Sequence, residues 1–182
     1  SVDGFPVEVY NDGEFLGLYT FNIPKADWML GLDEDNENHL AFDAKHNLDQ
    51  TYFHEEPTYD QWELEVGTEN DENLDKLKRI YDFVNNSSDY EFKDKFKEYF
   101  NLDASLNYYV LSESLLLADN VAKNMILITY DGNVWYPVLY DMDTMMGLNN
   151  EGVLEFRHNV ESSDTIGTQN VFNGKDSLLW IN

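Results

Sequence analysis

Residues 118–147 read ADNVAKNMILITYDGNVWYPVLYDMDTMMG, and this stretch decides how the rest of the chain is understood. Two apolar runs, Met125 to Tyr130 and Val134 to Tyr140, flank Asp131-Gly132-Asn133, which is the composition of a β-hairpin and its turn. Pairing Tyr130 with Val134 fixes an antiparallel register that sets Ile128 opposite Tyr136 and Asn124 opposite Tyr140. Directly opposed residues lie about 4.5–5.5 Å apart. Asn124 and Asp141 are then neighbours at the open end of the hairpin, with Asp119 in the loop just before it. Three oxygen-bearing side chains meet there, and such groups suit magnesium or manganese, which prefer carboxylates, amide carbonyls and phosphate oxygens.

Taken singly, Asp119, Asn120, Asn124, Asp141 and Asp143 are ordinary turn and cap residues, because Asp and Asn hydrogen-bond their own backbone. Their joint placement is what carries chemistry. Asp119 and Asn124 are separated by four residues, the D-x-x-x-x-N spacing of phosphotransferase catalytic loops, and a carboxylate follows one hairpin later. In such sites the first Asp orients the acceptor hydroxyl, the Asn holds a metal, and the later Asp holds the metal that bridges the phosphates.

Working outward, the first 21 residues alternate as paired strands about Asn11-Asp12-Gly13, a second hairpin signal that ends at Pro24. A short helix or turn over Ala26 to Leu32 follows, then an acidic loop, Asp33 to Asn38. That loop alternates like calcium ligands but lacks the glycine and terminal glutamate of an EF-hand, so a solvated loop is the reading. His39 to Lys45 and Gln61 to Val66 read as strands. Leu74, Leu77, Ile80, Tyr81 and Val84 then recur at helical spacing, closing at Asn85-Asn86-Ser87. Ser88 and Glu91 have the spacing of a capping box for a second helix whose buried face is Phe92, Phe96, Tyr99 and Phe100. A third helix is predicted from Asp103 to Leu117, with Leu106, Tyr109, Val110, Ser114 and Leu117 on its packed side. The fold class is therefore α+β: antiparallel strands, three helices, and a hairpin that carries the chemistry.

The chain has 182 residues, one domain by length, with 42% apolar and 15% aromatic content, enough for a packed core. It contains no cysteine, which excludes disulfides, thiolate zinc sites and a cysteine nucleophile. Against 36 acidic residues stand 11 basic ones, a net charge of −25. A surface this negative repels phosphate backbones and anionic lipid, so nucleic acid and membrane insertion are not expected. ATP is repelled too, unless divalent cations or a local basic pocket receive it. The opening on strand-like sequence and the stop at Trp180-Ile181-Asn182 read as a piece excised from a longer chain.

The string Ala118 to Asn124, the hairpin from Tyr130-Asp131-Gly132 to Trp135-Tyr136-Pro137, and Tyr140-Asp141-Met142-Asp143-Thr144 with Gly147 together resemble the CotH-like kinases, a family named after a bacterial spore-coat protein. Val7-Glu8-Val9-Tyr10 with Gly13 to Tyr19 is similar to that family's opening strands. The likeness thus spans a single domain over residues 1–182. It implies an atypical protein-kinase-like fold, ATP with Mg2+ or Mn2+, a protein substrate phosphorylated on Ser or Thr hydroxyls, and a place on a spore coat or cell surface. On the resemblance Asp119 matches the catalytic aspartate, Asn124 a metal ligand, Asp141 the principal metal aspartate and Asp143 its weaker acidic partner. The cation over the ATP phosphates is sought among Lys45, which ends a strand, Lys123 in the catalytic loop, and Lys25 after Pro24; Lys45 and Lys123 are preferred. Gly13 and Gly17 belong to an ordinary hairpin, with no glycine-rich phosphate loop, and Asn22 stands where an acidic residue is expected after the hairpin.

Other readings explain less. Asp141-Met142-Asp143 also fits the D-x-D site of nucleotide-sugar glycosyltransferases and the aspartate motif of haloacid-dehalogenase phosphatases. Both call for alternating strands and helices upstream, whereas here three helices precede one hairpin. The four histidines, His39, His46, His54 and His158, form no spaced metal pair on one helix. The alternative of a different class is a catalytically degenerate kinase-fold module with a structural or surface-binding role.

Overall fold

A computed structural model describes residues 4–22, 25–46, 48–149, 151–154 and 177–181. Pro24 and His158, named above, lie outside the described residues. The first two strands, β1 (Gly4–Asn11) and β2 (Glu14–Asn22), pair antiparallel about Asp12 and Gly13, both at positive φ (48° and 85°). Two positive φ values in a two-residue loop match the right-handed twist of the flanking strands, which is why Asp-Gly is found here. The ribbon forms a sheet of its own, with a bulge between Val9 and Tyr10. Phe5 and Phe21 stack across it at 5.2 Å, yet Phe5, Phe15, Leu18, Tyr19 and Phe21 all remain more than half exposed.

A one-turn helix, α1 (Asp27–Leu30), leads to the second sheet, built of β3 (Leu40–Ala44), β4 (Trp62–Val66), β5 (Met125–Thr129) and β6 (Trp135–Leu139) in the order β4-β3-β5-β6, all antiparallel. The two central strands are buried along their whole length, LAFDA and MILIT, as expected of strands covered on both faces. One face packs Leu40, Phe42, Trp62, Met125, Leu127 and Trp135 against α2 (Asp71–Asn86). The other sets Ala41, Val66, Ile126 and Ile128 under Leu30 and Leu32, with Tyr136, Val138 and Tyr140 alongside.

Helix α2 presents Leu77, Ile80, Tyr81 and Val84 to the core and ends at Ser87, as its periodicity requires. The capping box forms at α3 (Asp89–Lys95): Ser88 accepts from the Glu91 amide and Glu91 accepts from the Ser88 amide. This helix stops short of Phe100, giving way to a 3-10 turn at Phe96–Glu98. The reason is an edge. Trp135 donates to the Tyr99 carbonyl and Asn101 donates to the Trp135 carbonyl, each at 2.8 Å, so the chain leaves the helix to pair with β6.

The next helix, α4 (Leu102–Leu115), is rotated from expectation. Ser105, Tyr108 and Ser112 face inward, while Leu106 and Val110 are more than half exposed. The cause is specific: the Tyr108 ring stacks on Trp180 of α5 (Leu178–Ile181) at 5.2 Å, and its hydroxyl donates to the Asn120 carbonyl at 2.6 Å. Apolar residues surround this helix on every side, so their spacing could not select a face.

Candidate active site

The β5–β6 register is Ile128 with Tyr136 and Met125 with Leu139, and the Tyr140 amide donates to the Asn124 carbonyl at 3.0 Å. The pairing deduced from the sequence therefore holds. At the open end of the hairpin the Asn124 carboxamide donates through Nδ2 to the Asp141 carbonyl at 3.3 Å. Both residues sit at positive φ, 55° and 43°, a region that Asn and Asp tolerate better than other side chains. Donation through Nδ2 turns the Asn124 Oδ1 away from that bond, as the atom of this side chain that could meet a cation.

Asp119 lies on a 3-10 turn, Ala118–Val121, between α4 and β5. Its carboxylate accepts from Lys123 Nζ at 3.2 Å, with both side chains partly buried. Lys123 thus stands beside the candidate base. The carboxylates of Asp119, Asp141 and Asp143 are not gathered within 4.8 Å of one another; Asp141 and Asp143 are exposed on the loop after β6.

Between these segments Asn120 is fully buried. Its Nδ2 donates to the carbonyls of Asn124 at 3.0 Å and Tyr140 at 2.9 Å, so one amide group ties the Ala118–Val121 turn to the start of β5 and the end of β6.

Of the three candidate lysines, Lys45 lies 4.0 Å from Glu63. The β3–β5 register pairs Asp43 with Ile126, and counting two residues forward from Asp43 and two back from Ile126 brings Lys45 level with Asn124. Lys25 has the stronger setting. Its ammonium bonds Asp43 Oδ2, bonds Glu65 Oε1 at 3.0 Å, and stands 4.6 Å from the centre of the Tyr140 ring, the residue before Asp141. Burial by itself lowers the Lys25 pKa, but the hydrogen bonds and charges of Asp43 and Glu65 outweigh it and hold the ammonium protonated well above its ordinary value. Burial pushes the Asp43 carboxyl up, and Lys25 offsets part of that rise. Asp43, Glu63 and Glu65 are close enough to share a metal ion, but Lys25 already supplies a cation there. The signal for this pair was present in LAFDA, because an aspartate inside a fully buried strand needs a cation beside it.

His39 reads as structural: it accepts from the Asp33 amide at 2.8 Å and meets Tyr130 edge-on. The donor set at the hairpin mouth is all oxygen, a carboxamide and carboxylates, with solvent access on the Asp141 side, and it fits a hard divalent cation such as Mg2+ or Mn2+. Among the described residues no helix is long and apolar enough to cross a membrane.

The family model described as CotH kinase protein matches residues 3–181. No curated protein matches the chain.

Proposed function

Because the chain belongs to the CotH kinase family, we propose that it is an atypical kinase of protein-kinase-like fold that transfers the γ-phosphoryl group of ATP to a Ser or Thr hydroxyl of a protein, with Mg2+ or Mn2+. The observation that carries this reading is the meeting of Asn124 and Asp141 at the mouth of the β5–β6 hairpin, one short loop away from the Asp119–Lys123 pair. Asp119 receives the proton of the acceptor hydroxyl as its oxygen bonds phosphorus and the bond from phosphorus to the bridging oxygen of ADP breaks. Asn124 Oδ1 and the Asp141 carboxylate hold the cation, with Asp143 a weaker contributor. When bound, the cation neutralises charge on the transferring group, the principal source of catalysis in this class. Lys123 offers a positive charge next to the base, and Lys45 is the cation available to the phosphates from β3's side of the sheet, Lys25 being held by Asp43 and Glu65. Together they make ATP acceptable to a chain of charge −25. The family name points to the spore coat and supports a place there, or on a cell surface, for this protein.

Radiolabel transfer from ATP to a protein acceptor tests the proposal, with Asp119→Ala as control. Label in the wild type and none in the variant supports it; equal incorporation by both ends it. A second reading, a degenerate module that binds without transferring, draws on the ion pair that occupies Asp119 and on the spread of the three carboxylates. Mg-ATP separates the two from a third outcome: nucleotide that binds the folded state raises the melting midpoint. A raised midpoint without transfer marks the degenerate module, and no shift leaves a purely structural domain.

A further inference from the structure

We propose that Asn120 is a positioning residue that sets the affinity of the Asn124–Asp141 pair for its divalent cation, an inference that rests on the metal-dependent reading above. The argument begins with hydrogen-bond arithmetic. Two carbonyls, those of Asn124 and Tyr140, point at one carboxamide and lie 3.0 and 2.9 Å from its nitrogen. Two acceptors demand two donors, and only the NH2 end of the amide provides them, so this assignment of Asn120 is forced by chemistry. Among the described residues its Oδ1 is buried without a partner. The side chain therefore serves one end only, clamping the two backbones.

Those backbones carry the cation ligands. Asn124 holds a positive φ, and Tyr140 immediately precedes Asp141, which also holds one. Left-handed conformations of residues other than glycine are strained and persist where the surroundings over-determine them. Asn120 supplies that constraint from inside, and it is fixed in turn, its amide donating to Leu117 at 3.1 Å and its carbonyl accepting from Tyr108. A carbonyl and a side-chain oxygen of adjacent residues move together. Releasing the clamp lets the Asn124 Oδ1 and the Asp141 carboxylate separate, while every ligand atom remains in the chain.

The probe is Mn2+ added as its chloride to the full chain and followed by the loss of its free-ion electron paramagnetic resonance signal. Asn120→Ala is expected to weaken Mn2+ binding at least about tenfold, the lower end of what outer-shell partners contribute. Ile80→Ala, a truncation in the core under α2, serves as the control that loses stability without losing Mn2+ affinity. Wild-type affinity in Asn120→Ala overturns the proposal and leaves the metal reading standing. An unchanged signal with the wild type overturns both. Equal weakening in Ile80→Ala also overturns it, since general destabilisation then accounts for the effect. Should Asn120→Ala not fold, the wild type decides: titration with Mg2+ is expected to shift the side-chain amide resonances of Asn120, and immobile resonances overturn the proposal.

Discussion

Asn124 and Asp141, seventeen positions apart in the chain, are joined by a hydrogen bond from the carboxamide of the first to the backbone carbonyl of the second. Because the contact runs to the main chain, the Asp141 carboxylate stays uncommitted, and the two side chains can converge on a third partner. The hairpin does not merely hold these residues near each other; its register sets Asn124 opposite Tyr140, so that Asp141 follows one residue past the pair.

Asp141 and Asp143 are both exposed, and it is the Asp141 carbonyl that Asn124 bonds. Asp141→Ala is expected to abolish Mn2+ binding, and Asp143→Ala to weaken it by about tenfold or less, as befits the weaker contributor. Calorimetric titration of both variants checks this, and a reversed order assigns the principal ligand to Asp143.

Lys25 neutralises Asp43, which is 5% exposed. Lys25→Met leaves a buried carboxylate uncompensated and is expected to cost about 3 kcal/mol in urea unfolding. Lys25→Met combined with Asp43→Val should recover most of that loss. No recovery in the double variant would show that the pair contributes little to the fold.

Asp131 accepts from the amides of Asn133 at 2.8 Å and Val134 at 2.9 Å. Burial alone raises its carboxyl, but these amides, the Thr129 hydroxyl and the Arg79 charge outweigh burial and hold it below its ordinary value. A lowered carboxylate stabilises the fold above its unfolded pKa of about 3.9 and loses that contribution as pH falls through the lower folded value. Asp131→Asn should flatten the decline in melting midpoint below about pH 4. An unaltered acid limb would place the decline elsewhere.

Gly67 has φ +113°, and a Cβ there would stand 2.5 Å from Leu40 Cδ2 in the fully buried core. Gly67→Ala is expected to lower stability by about 2 kcal/mol, the cost of a strained backbone with overpacking. Chemical denaturation measures it, and a neutral result would mean that Leu40 has room to shift.

Much of this organisation could be read from the chain. Both hairpins announce themselves by Asp-Gly between apolar runs, and the Ser88 box lies at its predicted place, because these signals are local and each has one geometric meaning. The register that unites Asn124 with Asp141 follows from a turn of known length. Two elements resisted. The rotation of α4 depends on Tyr108 finding Trp180 and Asn120, contacts distant in sequence, while its apolar residues favour no direction. The partner of Lys25 was obscure for a similar reason: Asp43 is eighteen residues away, and only the burial of its strand makes the pairing necessary. Asn120 looked like a turn residue. Its importance appears once two carbonyls from different segments are seen to share one nitrogen.

The β1–β2 ribbon has a consequence for how the molecule behaves in solution. Seven large apolar side chains on it are half exposed or more, and among the described residues no strand pairs with its outer edges. In dilute buffer the −25 charge holds copies apart over tens of ångströms. In molar salt the screening distance shrinks to about 3 Å, and the ribbon is left undefended against edge-to-edge association. Ionic strength, more than temperature, should then govern whether this protein stays monodisperse.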